Sequence, residues 1–309
     1  MSPVNADHTR LFPGKLFIST ALEALETKTT MSAQLTRRYL QRAAMAGILI
    51  GVFYATNYAV IAAFDAVSVD GTTLRTLGRA AGALAFGWAL VFIYYTKSEL
   101  LTSNMMIVTV GRYHRRTTVW NALRLLGLCF AGNLIGGAVI AVLLRFSTLL
   151  DGAAAVEMQA SVDHKLEYMA TAAGWGDLMV RAILCNFLIN LAMLLVYNGL
   201  IKDDLTRSLA MIMSVFIFAF LGLEHSVANT VLFAIVGLRE GIDVGLAAGN
   251  VGLALVGNFI GGGLLIGLYY AYVNDDASYL RRRGLSEPPA DAPPPGHRDA
   301  SLPADDARG

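Results

Sequence analysis

One histidine, His225, stands in the middle of a long apolar run, with Glu224, Ser226 and Asn229 around it. An ionisable side chain at membrane depth is expensive, so a chemical role is its default reading. Neutral imidazole offers one donor and one acceptor and titrates near neutral pH. Those properties suit contact with a permeating weak acid, through a hydrogen bond or a proton. The plain alternative is a neutral histidine that satisfies backbone freed by a helix break. The two roles are compatible. His8, His114, His164 and His297 fall in tails or polar loops.

The polar segment around His225 occurs twice. Glu99-Leu-Leu-Thr-Ser-Asn104 is followed by Gly132-Asn-Leu-Ile-Gly-Gly137, and Glu224-His-Ser-Val-Ala-Asn229 by Gly257-Asn-Phe-Ile-Gly-Gly262. The copies stand 125 residues apart, and in each the glutamate precedes the Gly-Asn asparagine by 34 residues. A polar break duplicated in two apolar halves points to a transport pathway. Glu99 and Glu224 are expected to support the breaks by accepting bonds from the broken helix ends, with Asn104 and Asn229 beside them. Asn133 and Asn258 either satisfy backbone or line the pathway, and their glycines allow helices to approach closely.

These segments need spans to hold them. Of the 309 residues 55% are apolar and 15% charged, with a mean hydropathy of +0.54, too apolar for an ordinary soluble domain. Six apolar stretches run at roughly 41–66, 76–110, 119–146, 175–200, 207–238 and 246–273. A crossing needs about 20 residues. The second and fifth are too long for one plain crossing and too short for two. They read as discontinuous helices, broken at 96–104 and 222–229, where protein or a cavity shelters the irregular backbone. Arg37, Arg38, Arg42, Arg112, Arg115, Arg116, Lys202, Arg207 and Arg281–Arg283 cluster on one side, against Arg75, Arg79, Lys165 and Arg239 on the other. Both termini are therefore expected in the cytoplasm. Three spans per half make the second half an inverted repeat of the first. The expected fold is an all-α membrane protein of six transmembrane helices with two broken helices.

The chain divides into an N-terminal segment over 1–40, a six-span transport domain over 41–275 and a largely disordered cytoplasmic tail over 276–309, rich in proline at Pro288–Pro295. Residues 14–30 suit a cytoplasmic amphipathic helix, with Leu16, Phe17, Ala21, Leu22 and Leu25 apolar. No cleaved signal peptide is expected, because the first 30 residues hold no long apolar core. Cys129 and Cys185 read as small buried residues.

A metal site is not expected, since one histidine within the spans and no thiolate cluster make no ligand set. Neither a nucleophile elbow nor a phosphate loop accompanies Glu99, Glu224 and His225, so an enzyme is not expected either. No cofactor and no nucleic-acid partner is expected. A channel for a neutral solute such as water, urea or ammonia is the alternative within transport, and a membrane enzyme a distant one.

The motifs Glu99-Leu-Leu-Thr-Ser, Gly132-Asn-Leu-Ile-Gly, Asp163-His-Lys165, Leu223-Glu-His-Ser-Val-Ala-Asn229 and Gly257-Asn-Phe-Ile-Gly-Gly-Gly263 are collinear over about 40–275. Together they resemble the formate/nitrite transporter family of formate, nitrite and hydrosulfide channels. The resemblance implies an aquaporin-like protomer with its own pore, assembled as a homopentamer in the inner (plasma) membrane, and a small-anion substrate, formate or nitrite first. It places the family's central histidine on His225, its loop threonine on Thr102 and its vestibule lysine on Lys165. Pore-narrowing positions fall on Phe86, Leu90, Leu101 and Phe218, and pore asparagines on Asn186 and Asn258. Leu101 stands where many relatives have Phe, and Lys97 where small residues such as Gly are usual. Lys97 is expected to pair with Glu99, attract anions or snorkel away. Lys165, a lone cation in the 147–174 loop, is expected to face the outer mouth and raise anion capture there.

Overall fold

The computed structural model describes residues 11–283; most of the expected tail, with His8 and His297, lies outside them. Helix α1 spans Lys15–Gln34 and buries Phe17, Ile18, Ala21 and Leu25 along one stripe, while Leu16 is exposed. The apolar stretches become α2 (Thr36–Asp65), α3 (Arg75–Tyr95), α4 (Leu101–Tyr113), α5 (Val119–Arg145), α7 (Ala172–Tyr197), α8 (Asp204–Phe220), α9 (Ser226–Glu240) and α10 (Val244–Asn258). A π-helical segment, Phe259–Leu268, continues α10 into α11 (Tyr269–Val273), and α12 (Ala277–Arg283) follows. Among the described residues five helical runs are long and apolar enough to cross a membrane: Thr36–Asp65, Arg75–Tyr95, Val119–Arg145, Ala172–Tyr197 and Val244–Val273. The stretch 207–238 is divided between α8 and α9, so neither piece reaches that length.

Helix starts follow side-chain caps. Thr118, Thr171, Asp203 and Asp243 accept bonds from backbone N–H groups three residues on, each serving one of the orphan donors of a first turn. Two features depart from an all-α expectation of plain helices. A two-stranded hairpin pairs Ser68–Val69 with Thr72–Thr73 across Asp70-Gly71. Both turn residues have positive φ, 50° and 79°, and Asp-Gly is a strong signal for such a turn. The stretch 147–174 is not merely a loop: it folds into α6 (Ala153–Glu167), which buries Ala154, Met158, Val162 and Lys165.

The spans interleave. α2 packs on α3 and α5, and α7 packs on α10 and the π segment. Gly136 and Gly261 make these approaches possible: a Cβ on Gly136 would collide with the Ala44 carbonyl, and one on Gly261 with the Ile183 carbonyl. The half-helix α4 packs on the π segment, and the half-helix α9 packs on α5. Each break is thus walled by helices from both halves of the chain.

Candidate functional site

Both long stretches are interrupted, by residues 96–100 between α3 and α4 and by residues 221–225 between α8 and α9. The two turns are made alike. Ser98 N–H donates to Ile93 O (3.0 Å) and Lys97 N–H to Tyr94 O (3.2 Å); Leu223 N–H donates to Phe218 O (2.9 Å) and Gly222 N–H to Ala219 O (3.2 Å). The left-handed residue that such a helix end requires is Gly222 (φ 67°) in one break and Lys97 (φ 56°) in the other. Glycine takes that conformation freely, whereas a residue with a Cβ is strained there by about 1 kcal/mol.

The backbone freed by each break is satisfied by an asparagine. Asn133 Oδ1 accepts from Leu101 N–H (3.1 Å), and its amide donates to Ala43 O and Glu99 O, both at 2.8 Å. Asn258 repeats the arrangement with Ser226 N–H (2.9 Å), Ala182 O (2.8 Å) and Glu224 O (3.0 Å). Both side chains are fully buried. Removing one would leave three backbone groups without partners in apolar surroundings, each costing about 1–3 kcal/mol. Asn258→Ala is therefore expected to lower the thermal midpoint of the purified protein in detergent steeply, by about 6 °C or more for a loss of at least about 3 kcal/mol. An unchanged midpoint would show that water or local rearrangement serves these groups instead.

The two glutamates are buried and bonded to side chains rather than to helix ends, contrary to expectation. Glu224 Oε1 accepts from Lys165 Nζ (2.7 Å), and Glu224 Oε2 accepts from Asn229. Asn229 also donates to Asn250 (2.9 Å), whose amide reaches back to Lys165 O (2.8 Å). Glu99 accepts from Asn104 (3.1 Å) and pairs with Lys28 of α1. Each break therefore carries a glutamate, a lysine and an asparagine. Lys165 is not a lone exposed cation: α6 folds it inward to 6% exposure. Burial by itself would discharge its ammonium, and the Glu224 carboxylate more than offsets this, so its pKa lies above the ordinary lysine value. Nor does Lys97 pair with Glu99. Its ammonium lies over the Tyr94 ring, 4.9 Å from the centroid.

His225 is the N-cap of α9, with Nδ1 accepting from Ala228 N–H at 3.2 Å. That bond requires Nδ1 to carry no proton, which fixes the proton of the neutral ring on Nε2. Nε2 lies 3.1 Å from Thr102 Oγ1, so it can donate to the hydroxyl. The histidine of one break and the threonine of the other thus meet. Adding a second proton at Nδ1 would set two N–H groups against each other and remove the cap.

Above this pair lies a cavity of about 350 Å³. Its wall includes Tyr54, Phe86, Phe218, Lys165, Glu224 and His225. Phe86 and Phe218 meet edge to face at 6.0 Å, Tyr54 stacks on Phe86 at 4.9 Å, and the Phe218 and His225 rings lie 6.0 Å apart. Leu90, Leu101 and Thr102 are buried and do not line it. Asn186 and Asn258 are not on this wall either. Asn186 donates to Asn258 O (2.7 Å) and Thr102 O (3.2 Å), holding backbone of both breaks.

Three arginines at the same mouth escaped the sequence reading as site residues. Arg75 pairs with Glu157 (2.7 Å). Arg79 donates to Phe220 O (3.1 Å), and Arg181 donates to Gly222 O (3.1 Å), so both cap the carbonyl end of α8. In the sequence Arg75 and Arg79 serve only as markers of topology, and nothing singles out Arg181.

The sequence model described as formate/nitrite transporter matches residues 16–272. An uncharacterized transporter of Bacillus subtilis (strain 168), YwcJ, is 29% identical over 77% of this chain and 90% of its own length. The nitrite transporter NirC of Salmonella typhimurium is 27% identical over 81% and 88%, and the formate channel FocA of Haemophilus influenzae 26% identical over 64% and 75%. Among solved structures, one described as an FNT family ion channel aligns over 84% of this chain and 99% of that chain, with a TM-score of 0.70 and 21% identity. A pentameric formate channel with formate bound aligns over 78% and 98%, with a TM-score of 0.61 and 20% identity.

Proposed function

Because this chain belongs to the formate/nitrite transporter family, we propose that it moves small monovalent anions, formate or nitrite first, across the inner (plasma) membrane. In this reading six spans form two inverted halves, both termini are cytoplasmic, and five copies assemble with one pathway each. The domain division at about 41 and 275 belongs to the same reading. The observation that carries it is the bond between His225 and Thr102, which joins the two breaks at the floor of the outer cavity.

The physical problem is desolvation. A bare anion entering an apolar constriction loses its hydration shell at great cost. Arg79, Arg181 and the Lys165–Glu224 pair shape the field of the cavity. Phe86 and Phe218 narrow it, and Leu90 and Leu101 narrow the far side. Between them His225 Nε2–H and the Thr102 hydroxyl replace part of the lost water. Because Nδ1 is engaged with Ala228, His225 acts as a hydrogen-bond donor to the anion or its neutral acid. A weak acid that crosses in neutral form takes its proton from the bulk solution on one side and releases it on the other, so the anion and a proton move together past His225. Asn186 and Asn258 serve this pathway by fixing the backbone that holds Thr102 and His225.

A panel of formate, nitrite, acetate, lactate, hydrosulfide and urea in proteoliposomes at pH 5.5 and 7.5 tests this. Formate and nitrite uptake should exceed urea uptake at both values. Uptake should rise at the lower pH, where more of each anion is present as its acid. Urea permeating faster than any anion would make this a neutral-solute channel.

A further inference from the structure

The residue at the left-handed turn of the first break carries a charge that its counterpart in the second lacks. Gly222 forms that turn at the outer cavity, and Arg181 donates to its carbonyl. Lys97 forms the same turn with the same two backbone bonds, in a conformation that glycine takes more easily. Its side chain is exposed. Among the described residues no carboxylate pairs with it. Glu99, two residues on, is engaged inside the protein by Lys28 and Asn104, and the ammonium touches only the Tyr94 ring. The turn does not need this residue, and packing does not hold it. What it adds is an unneutralised positive charge at the break that faces the opposite mouth.

We infer that Lys97 captures small monovalent anions at the inner mouth, as Arg79 does at the outer one, where Arg181 is already paired with Asp177. The inference rests on the anion-transport reading and on the inverted relation of the halves. By that relation residues 96–98 stand to the inner cavity as residues 221–223 stand to the outer one. A unit charge about 7 Å from an anion in water changes its local concentration about threefold. That is the size of the expected effect.

Direction of flux does not isolate this role, because a passive pore has equal permeability both ways at low substrate concentration. The side on which salt slows the flux does, since screening acts only on charges in contact with that solution. Formate flux is measured through proteoliposomes of one orientation, with potassium gluconate raised from about 10 mM to about 200 mM on one face at a time, where the Debye length falls from about 30 Å to below 10 Å. Salt on the Lys97 face should slow the wild type. The fall should be about threefold smaller in Lys97→Gly and preserved in Lys97→Arg. Salt on the opposite face should slow all three alike. Lys97→Gly relieves the turn, so its thermal midpoint should rise, which separates lost capture from lost folding. An equal response of Lys97→Gly and wild type to salt on the Lys97 face overturns the inference alone. A wild type that passes no formate faster than empty liposomes overturns the transport reading, and the inference falls with it.

Discussion

Lys165→Met should cut formate uptake about a hundredfold, and adding Glu224→Gln should restore most of it. The lysine is 6% and the glutamate 2% exposed, with 2.7 Å between their charged atoms. Removing the lysine alone strands a carboxylate on the wall of the cavity. A unit negative charge about 6 Å from a permeating anion, at an effective dielectric of about 20, opposes it by about 3 kcal/mol, roughly a hundredfold in occupancy. The stranded charge also destabilises the fold by about 3–5 kcal/mol. In the double variant the side chain at 224 stays polar and hydrogen-bonded to Asn229, while both charges are gone. Uptake by wild type, single and double variants in proteoliposomes, alongside their thermal midpoints, checks this. If the double variant transports no better than Lys165→Met, the lysine acts directly on the anion and not by neutralising Glu224.

His225→Asn should abolish anion uptake while leaving the protein folded. Asparagine is among the best N-cap residues, so it can accept from Ala228 N–H as Nδ1 does now. It is too short to present a donor where Nε2 meets Thr102. His225→Phe lacks both groups and should lose about 1 kcal/mol with the cap as well as the flux. The pair of variants therefore separates the two parts of the imidazole. Monodisperse, thermally stable His225→Asn protein whose uptake matches that of empty liposomes is the expected result. Wild-type uptake by His225→Asn would reduce the histidine to a cap.

The breaks were legible because they violate a local rule twice: a Glu-to-Asn polar segment inside an apolar run, at the same distance from a Gly-Asn motif. The stripe of Phe17, Ala21 and Leu25 likewise foretold α1. Partners across the fold were not legible. Lys97 is the cation nearest Glu99 in sequence, but Lys28 reaches it because α1 tucks beneath the first break. Lys165 looked exposed because its loop is polar, yet α6 turns it inward. Arg79 and Arg181 serve a helix end far away in sequence, and no spacing announces such contacts. The Asp70-Gly71 hairpin was readable from its turn residues, but an apolar span beside it dominated the pattern. The π segment contains a run of three glycines, Gly261–Gly263, packed against the α7 asparagines and α4, and periodicity does not distinguish it from an ordinary helix.

The two breaks meet at His225 and Thr102, and the anion pathway proposed through that contact is tested by transport itself. The most direct measurement is uptake of labelled formate by purified wild-type protein and His225→Asn, reconstituted at equal density beside empty liposomes. Wild-type uptake should lie far above both of the others, with His225→Asn at the level of empty liposomes. Wild-type uptake no faster than that of empty liposomes, or His225→Asn as fast as wild type, would contradict it.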